Sequence, residues 1–283
     1  MEENRTDFWP VFRLMRKRGL ASMFANADAY EQFMGRWSRL LAPLLLEFAN
    51  IPDGWRILDV GSGTGSLAIE IAVRRPHCRI VGIEPSEEYV AYAKAQVPNA
   101  TVHFEVGNAQ QLAFADAEFD ASLSLLVFNF IPDPRKALAE LRRVTRPGGQ
   151  ICAAIWDYGD RMQMLRIFWD AAVELDVSAQ VADEKYMPLC RSGELTALWK
   201  EGGLTNVEEQ PLEIAMQFRS FDDFWRPFLT GQGPAGAYVE RLDPERRIEL
   251  RDHVKRLLVK SAQQRAFELR GRAWAIRGTA PRP

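Results

Sequence analysis

The segment Asp59-Val-Gly-Ser-Gly-Thr-Gly65 sets three glycines at alternate positions directly after an acidic residue, with Ser62 inside the loop. Lacking a Cβ, Gly61, Gly63 and Gly65 let the chain turn sharply and bring its backbone against a ligand. The apolar pattern after Ser66 opens a helix, whose first N–H groups and positive dipole end favour a carboxylate or phosphate. Glu84 follows roughly 20 residues beyond the loop, where an acid is placed to accept hydrogen bonds from ribose hydroxyls. Each such charge-assisted contact is worth about 1.5–3 kcal/mol in a buried site. Loop and acid together describe a site for a small, anionic, nucleotide-like ligand.

The elements that must hold these residues alternate along the chain. Ile57, Leu58 and Val60 form an apolar run suited to a buried parallel strand that ends in the glycine loop. Further strands are expected at Arg79–Ile83, at 100–106, within Phe119–Phe130 and at Gln150–Trp156. Helices are expected at Glu87–Gln96 and Pro134–Val144, the second ending in the turn Arg146-Pro-Gly-Gly149. Such alternation signals a mostly parallel sheet with helices on its faces. Beyond Asp157 the pattern predicts helices at 161–175, 193–200, 221–229 and 244–260, with a turn at Gly231-Gln-Gly-Pro234. Strands are expected at Asn206–Phe218 and 266–277, which brings the count to seven. Upstream, Phe33, Trp37, Leu40, Leu41, Leu44, Leu45 and Phe48 recur at helical spacing, with Pro43 expected to kink that helix or to start a second one.

Composition bounds the classes of function. A chain of 283 residues with 47% hydrophobic and 26% charged residues suits one large domain or a domain with a cap. Its formal net charge of −2 gives no electrostatic footprint for nucleic acid. Cys78, Cys152 and Cys190 lie far apart without a C-x-x-C pair, which argues against disulfides or zinc and suits a reducing cytoplasm. No apolar run reaches the ~18 residues of a transmembrane helix, so the expectation is a soluble, cytoplasmic protein without an integral membrane segment. The leader, residues 1–29, mixes Phe8, Trp9, Phe12 and Met15 with Arg16-Lys-Arg18. It reads as an amphipathic helix packed on its own domain, or as a lid, a homodimer arm or a membrane-surface element.

The glycine spacing narrows the ligand. A dinucleotide loop needs G-x-G-x-x-G/A and would find Ser66 at its third small position. The form present, D-x-G-x-G-x-G, resembles motif I of the class I methyltransferases that use S-adenosylmethionine (SAM). Three further segments match that family in order. Glu84-Pro-Ser86 follows the second strand, Gly107-Asn-Ala-Gln-Gln-Leu-Ala-Phe114 follows the third, and Phe119 to Asp133 is similar to the fourth-strand signature. The turn Leu141 to Gly149 completes the match, which covers about residues 30–157 and points to the type 11 and ubiquinone-biosynthesis-like small-molecule branch.

The resemblance implies a doubly wound, seven-stranded, Rossmann-like α/β sheet with N-terminal helices and a helical cap. Its expected parts are N-terminal helices at 1–50, a SAM-binding core at 51–157, and cap helices with the last strands at 158–283. It also implies roles. Asp59, Gly61, Ser62, Gly63 and Gly65 receive the methionine end, Glu84 binds the ribose, and Pro85 and Ser86 line the adenosine. Asn108 and Ala109 meet the adenine, although the family has an acid where Asn108 stands; an amide carbonyl still accepts a hydrogen bond but brings no charge. Leu125 and Leu126 end the strand that faces the methionine and methyl group. Tyr30 and Arg36 close over the cofactor, while Trp37 equally suits plain core.

The implied activity is methyl transfer from SAM to a small-molecule acceptor by in-line displacement. Asn129, Asp157 and Tyr158 follow the fourth and fifth strands, on the edge where α/β sheets bind ligands, and are the substrate-side candidates. His77, His103 and His253 do not suit a general base, and none is identified. Two other readings stand beside this one: an NAD-dependent oxidoreductase, and a SAM-binding module without catalysis.

Overall fold

The computed structural model describes residues 26–97, 101–258 and 266–282. Residues 1–25 of the leader, and with them the lid, dimer-arm and membrane-surface readings, lie outside the described residues.

Seven strands form one mixed sheet: β1 (Arg56–Val60), β2 (Arg79–Glu84), β3 (Val102–Val106), β4 (Phe119–Leu125), β5 (Thr145–Trp156), β6 (Thr205–Phe218) and β7 (Phe267–Thr279), in the order β3-β2-β1-β4-β5-β7-β6. The first five run parallel, and β7 turns antiparallel against β5. Strand order reverses between β1 and β4, so the carboxyl ends of these neighbours flank the switch point where open α/β sheets bind ligands. Ile57, Leu58, Val60, Ala121, Leu123, Ile151 and Ala153 are all buried, as parallel strands covered on both faces require.

The chain packs as two compact units, each assembled from separated segments. The sheet unit comprises Met34–Trp156, Pro188–Leu212 and Ala273–Pro283. In it, α1 (Arg36–Ala49) buries Trp37, Leu41, Leu45 and Phe48 and packs on α2 (Ser66–Arg74), β4 and β5. Pro43 sits inside α1 without dividing it; the break falls earlier, in a wide π turn at Glu31–Gly35 that follows the short helix Ala27–Tyr30. The turn at Arg146–Gly149 is absorbed into β5 as a bulge. Phe119 pairs with Thr145 and Ala121 with Gln150, so the extra residues loop out of the ladder. Trp199 locks the far face, its Nε1 donating to the Ile151 carbonyl at 3.1 Å with its ring 5.1 Å from Phe128.

Among the described residues, the helical unit comprises residues 26–33, Asp157–Met187 and Glu213–Arg272. Its helix Gln163–Leu175 carries Phe168, stacked 4.5 Å from Phe228. Arg166 on the same helix is buried and donates to Asp183 (2.8 Å) and to the Tyr158 carbonyl (3.1 Å). The Gly231–Pro234 stretch is more than a turn: Gln232 is the N-cap and Pro234 sits in the first turn of a helix, Gly233–Arg241, that the glycine-rich composition conceals. None of the helices among the described residues is long and apolar enough to cross a membrane.

One position controls how closely β2, β3 and the glycine loop approach. A Cβ on Gly82 would lie 2.5 Å from Phe104 Cδ1 and 3.0 Å from Ser62 Cβ. Overpacking of this kind costs about 1–3 kcal/mol, so Gly82→Ala should lower stability by that amount. Urea unfolding in a Phe104→Leu background should show a smaller cost, since the smaller side chain opens the space; an equal cost in both backgrounds would contradict the contact.

Candidate functional site

The loop after β1 is tied to the end of β2 by its own backbone. Gly61 N–H and Ser62 N–H both donate to the Ile83 carbonyl, at 2.8 and 2.9 Å, and Gly65 N–H donates to Ser62 O at 2.9 Å. Gly61 adopts φ +69°, and a Cβ there would stand 2.6 Å from both Val127 methyl groups. Side chains are thus excluded from this turn by both conformation and space. Gly63 differs: at φ +54° a Cβ would meet nothing within 4 Å, so the loop's outer surface is open for close approach.

Glu84 completes the tie. Its Oε2 accepts from Gly63 N–H at 3.2 Å and its Oε1 from Ser86 N–H at 3.1 Å, while Ser86 Oγ caps the helix Glu87–Gln96 through Tyr89 N–H. Burial raises the Glu84 pKa, and the Ser86 and Gly63 bonds work against that rise. Each carboxylate oxygen has a second lone pair, which leaves capacity for two hydroxyl donors. Pro85 is exposed beside it.

Three buried side chains near the switch point hold polar atoms without hydrogen-bond partners. Both oxygens of Asp59 and the hydroxyl of Ser62 belong to β1 and its loop; both amide atoms of Asn129 belong to the turn Phe128–Phe130 after β4. Asn129 is fully buried and Asp59 is 1% exposed. Leaving such groups unpaired costs about 1–3 kcal/mol each, more if charged, a cost that native structures tolerate mostly where a ligand or water completes the set. Burial pushes the Asp59 carboxyl up to about 7; partial compensation from Ala68 N–H opposes this, and the Glu84 charge adds to it.

The remaining expected residues fall into distinct places. Leu125 and Leu126 are buried at the end of β4, and Leu126 takes φ +66°, a left-handed conformation that costs a branched residue roughly 1–2 kcal/mol. Its N–H is held by Ala154 O at 2.7 Å, which pins the strain at the strand end. Asn108 is exposed and its Oδ1 accepts from Gln110 N–H at 2.9 Å, so the side chain caps its own turn; Ala109 lies half-buried beside it. Arg36 stacks its guanidinium 4.2 Å over the buried Trp37 ring in the sheet unit, whereas Tyr30 belongs to the helical unit, with its N–H on Asn26 O.

Asp157 and Tyr158 also lie in the helical unit. The Asp157 carboxylate is engaged by Arg272, whose Nε lies at 2.8 Å and whose Nη2 also donates, and by Asp160 N–H at 3.1 Å. Tyr158 is buried, with its carbonyl on Arg166. These contacts fasten the chain that leaves β5. Sequence reasoning passed over Trp156, the last residue of β5, which is fully buried with its Nε1 unpartnered. Its place at a strand's carboxyl end was the available signal.

Glycine loop, strand-end acid and switch point together define a class I methyltransferase fold. Residues 58–153 match the family described as methyltransferase domain (Methyltransf_11). An uncharacterized protein of Mycobacterium tuberculosis is 31% identical over 173 residues, which cover 59% of this chain and 63% of that protein. The demethylmenaquinone methyltransferase of Deinococcus radiodurans is 40% identical over 98 residues, covering 34% of this chain and 41% of the relative. The chain thus spans less than two thirds of the length of these relatives. Among solved structures, phosphoethanolamine N-methyltransferase 2 of Haemonchus contortus, crystallised with SAM, superposes with a TM-score of 0.59 at 18% identity, covering 94% of this chain and 59% of that one. The YcgJ protein of Bacillus subtilis gives 0.55 at 16% identity, covering 86% and 98%.

The Asp59 shift fixes a sign. Its folded pKa lies above the ordinary 3.8, so the folded form holds the proton more tightly than the unfolded chain. This contribution to stability is greatest near pH 4 and is lost as pH rises toward 7. Asp59→Asn cannot titrate, so its stability relative to wild type should rise by roughly 2 kcal/mol between pH 5 and 7.5. Urea titrations at the two pH values measure this, and a difference that stays constant would contradict the buried acid.

Proposed function

We propose that this protein is a SAM-dependent methyltransferase that carries a methyl group to a small-molecule acceptor. The observation that carries the reading is the cradle in the sheet unit: a loop tied to β2, an acid with lone pairs to spare, and buried polar atoms without partners on Asp59 and Ser62. Those residues fit the cofactor chemically. Glu84 would take the ribose hydroxyls, and the open surface at Gly63 would admit a small molecule against the backbone. The unpartnered Asp59 carboxyl would gain its charge beside a cation, and the ammonium and sulfonium of SAM are cations. Pro85, Ser86, Asn108 and Ala109 line the adenosine side of this proposed site; Leu125, Leu126 and Arg36 border its methionine side.

When bound, SAM supplies an electrophilic methyl group. The protein's share is to align the acceptor within about 3–3.5 Å of that carbon and to exclude water. The likeness to the demethylmenaquinone methyltransferase of Deinococcus radiodurans supports the small-molecule class. Cys78, Cys152 and Cys190 are buried and not disulfide-bonded, which suits a reducing compartment.

SAM and S-adenosylhomocysteine should raise the melting temperature, while NAD and NADP leave it unchanged. A ligand at a hundredfold excess over Kd stabilises by about 2.7 kcal/mol, which a thermal scan resolves. Glu84→Ala should weaken SAM binding about 10- to 100-fold in calorimetry, from the loss of about 1.5–3 kcal/mol. Stabilisation by NAD alone would sink the reading, and an unchanged Kd in the folded variant would remove Glu84 from the ribose site.

A further inference from the structure

Two serines of β4 are alike in burial and differ in what they hold. Ser122 and Ser124 are both fully buried and, two residues apart on one strand, share a face. The hydroxyls of Ser122 and Thr145, the first residue of β5, share a hydrogen bond of 2.7 Å. The Ser124 hydroxyl instead donates to a backbone group, the carbonyl of Val60, at 2.9 Å. Val60 is the last residue of β1, directly before the glycine loop. A buried hydroxyl costs stability unless it is bonded, a demand that alanine at either position would not make. What the Ser124 bond holds in place is therefore the question.

The bond falls where the ladder stops. The last pair between β1 and β4 is Asp59 with Leu123, and Ser124 closes on Val60 one residue further along. The carbonyl of Val60 and the N–H of Gly61 belong to one planar trans peptide unit and point in opposite directions. The N–H donates to Ile83 O on β2 at 2.8 Å, and the carbonyl accepts from Ser124 on β4. Both strands adjoin β1, so this peptide plane is gripped from either side. Turning the plane would change ψ of Val60 and φ of Gly61 together, and the Gly61 φ of +69° sets the direction in which the loop departs. The end of β4 is itself anchored, because Leu126 N–H donates to Ala154 O on β5 at 2.7 Å. Three bonds thus lace β5, β4, β1 and β2 together at the edge where the loop begins.

Resting on the methyltransferase reading, we propose that Ser124 is a positioning residue for the cofactor. Its hydroxyl fixes the first peptide plane of the glycine loop, and with it the backbone surface that the ligand approaches. Ser124 acts through Val60 and Gly61 and touches no reacting atom. With alanine at this position the plane loses its grip on the β4 side, and the loop samples more orientations before a ligand arrives. That freedom is given up on binding, so affinity falls. Ser122 makes a bond of the same kind but holds only a side chain of β5, so its loss lowers stability and leaves the loop as it is.

Three variants of the full chain test this: Ser124→Ala, Ser124→Thr, which keeps the hydroxyl, and Ser122→Ala, which deletes an equally buried hydroxyl from the same strand. In calorimetry with S-adenosylhomocysteine, Ser124→Ala should raise Kd about 3- to 10-fold, the effect of one net hydrogen bond. Ser124→Thr and Ser122→Ala should stay within about twofold of wild type on the same scale. The melting temperature should fall in both alanine variants, so a loss of stability alone does not produce the difference in affinity. In the ligand-free protein, hydrogen exchange of the Gly61 amide should speed up severalfold in Ser124→Ala and keep its wild-type rate in Ser122→Ala. An unchanged Kd in Ser124→Ala, an equal loss of affinity in Ser122→Ala or Ser124→Thr, or a Gly61 amide indifferent to Ser124→Ala would each overturn the assignment. A wild type that binds no S-adenosylhomocysteine, while Gly61 exchange still responds to Ser124→Ala, would instead overturn the methyltransferase reading beneath it.

Discussion

The site depends on a short set of hydrogen bonds between the glycine loop and the end of β2. Ile83 O accepts from two successive loop N–H groups, and the Glu84 carboxylate accepts from a third. These bonds fix where the loop leaves the sheet. Gly61 can then pass Val127, Gly82 can admit Phe104, and the helix Ser66–Arg74 begins at a defined angle beneath the loop. Because Glu84 also holds Ser86 N–H, one carboxylate sets the geometry of two consecutive βα turns. A residue that organises its own surroundings in this way is in position before any ligand comes, so little ordering remains to oppose binding.

This arrangement carries a cost. Asp59 is buried without a good hydrogen bond and Leu126 is held in a left-handed conformation. Asn129 and Trp156 have unpartnered polar atoms near the same sheet edge. Other buried polar groups of the sheet unit are paired, Ser122 with Thr145, Ser124 with Val60 O and Trp199 with Ile151 O. Unpaired groups at the carboxyl ends of adjacent strands are the pattern of a surface shaped for something it binds. The helical unit handles its buried charges differently. Arg166 is matched to Asp183, and Glu184, pushed up to about 7 by burial, accepts from Trp169 Nε1 at 2.6 Å.

The parallel strands were legible in the sequence because each carries an apolar pattern and β1, β2, β3 and β5 close on glycine or an acid. The loop was legible because its glycines answer to local backbone geometry. Features set by tertiary contact were not. The π turn at Glu31–Gly35 and the bulge at Arg146–Gly149 depend on what lies opposite them, and the helix Gly233–Arg241 opens on Gly-Pro-Ala-Gly, a composition that reads as a turn. Two-unit packing from interleaved segments has no local signature either. At the site, sequence allowed Asn108 to face an adenine or to cap its own turn, and its Oδ1 bonds Gln110 N–H. The sequence places Asn129 at the edge after the fourth strand; that both its amide atoms are buried and unpaired is set by the tertiary packing around it.

A crystal structure of the protein with S-adenosylhomocysteine tests the central claim most directly. The account predicts both ribose hydroxyls within about 2.6–3.0 Å of the Glu84 carboxylate and the amino-acid end of the ligand over the Gly61–Gly65 backbone, with the loop's bonds to Ile83 unchanged. A ligand seated away from Glu84, or a loop that must leave Ile83 to admit it, would contradict the account.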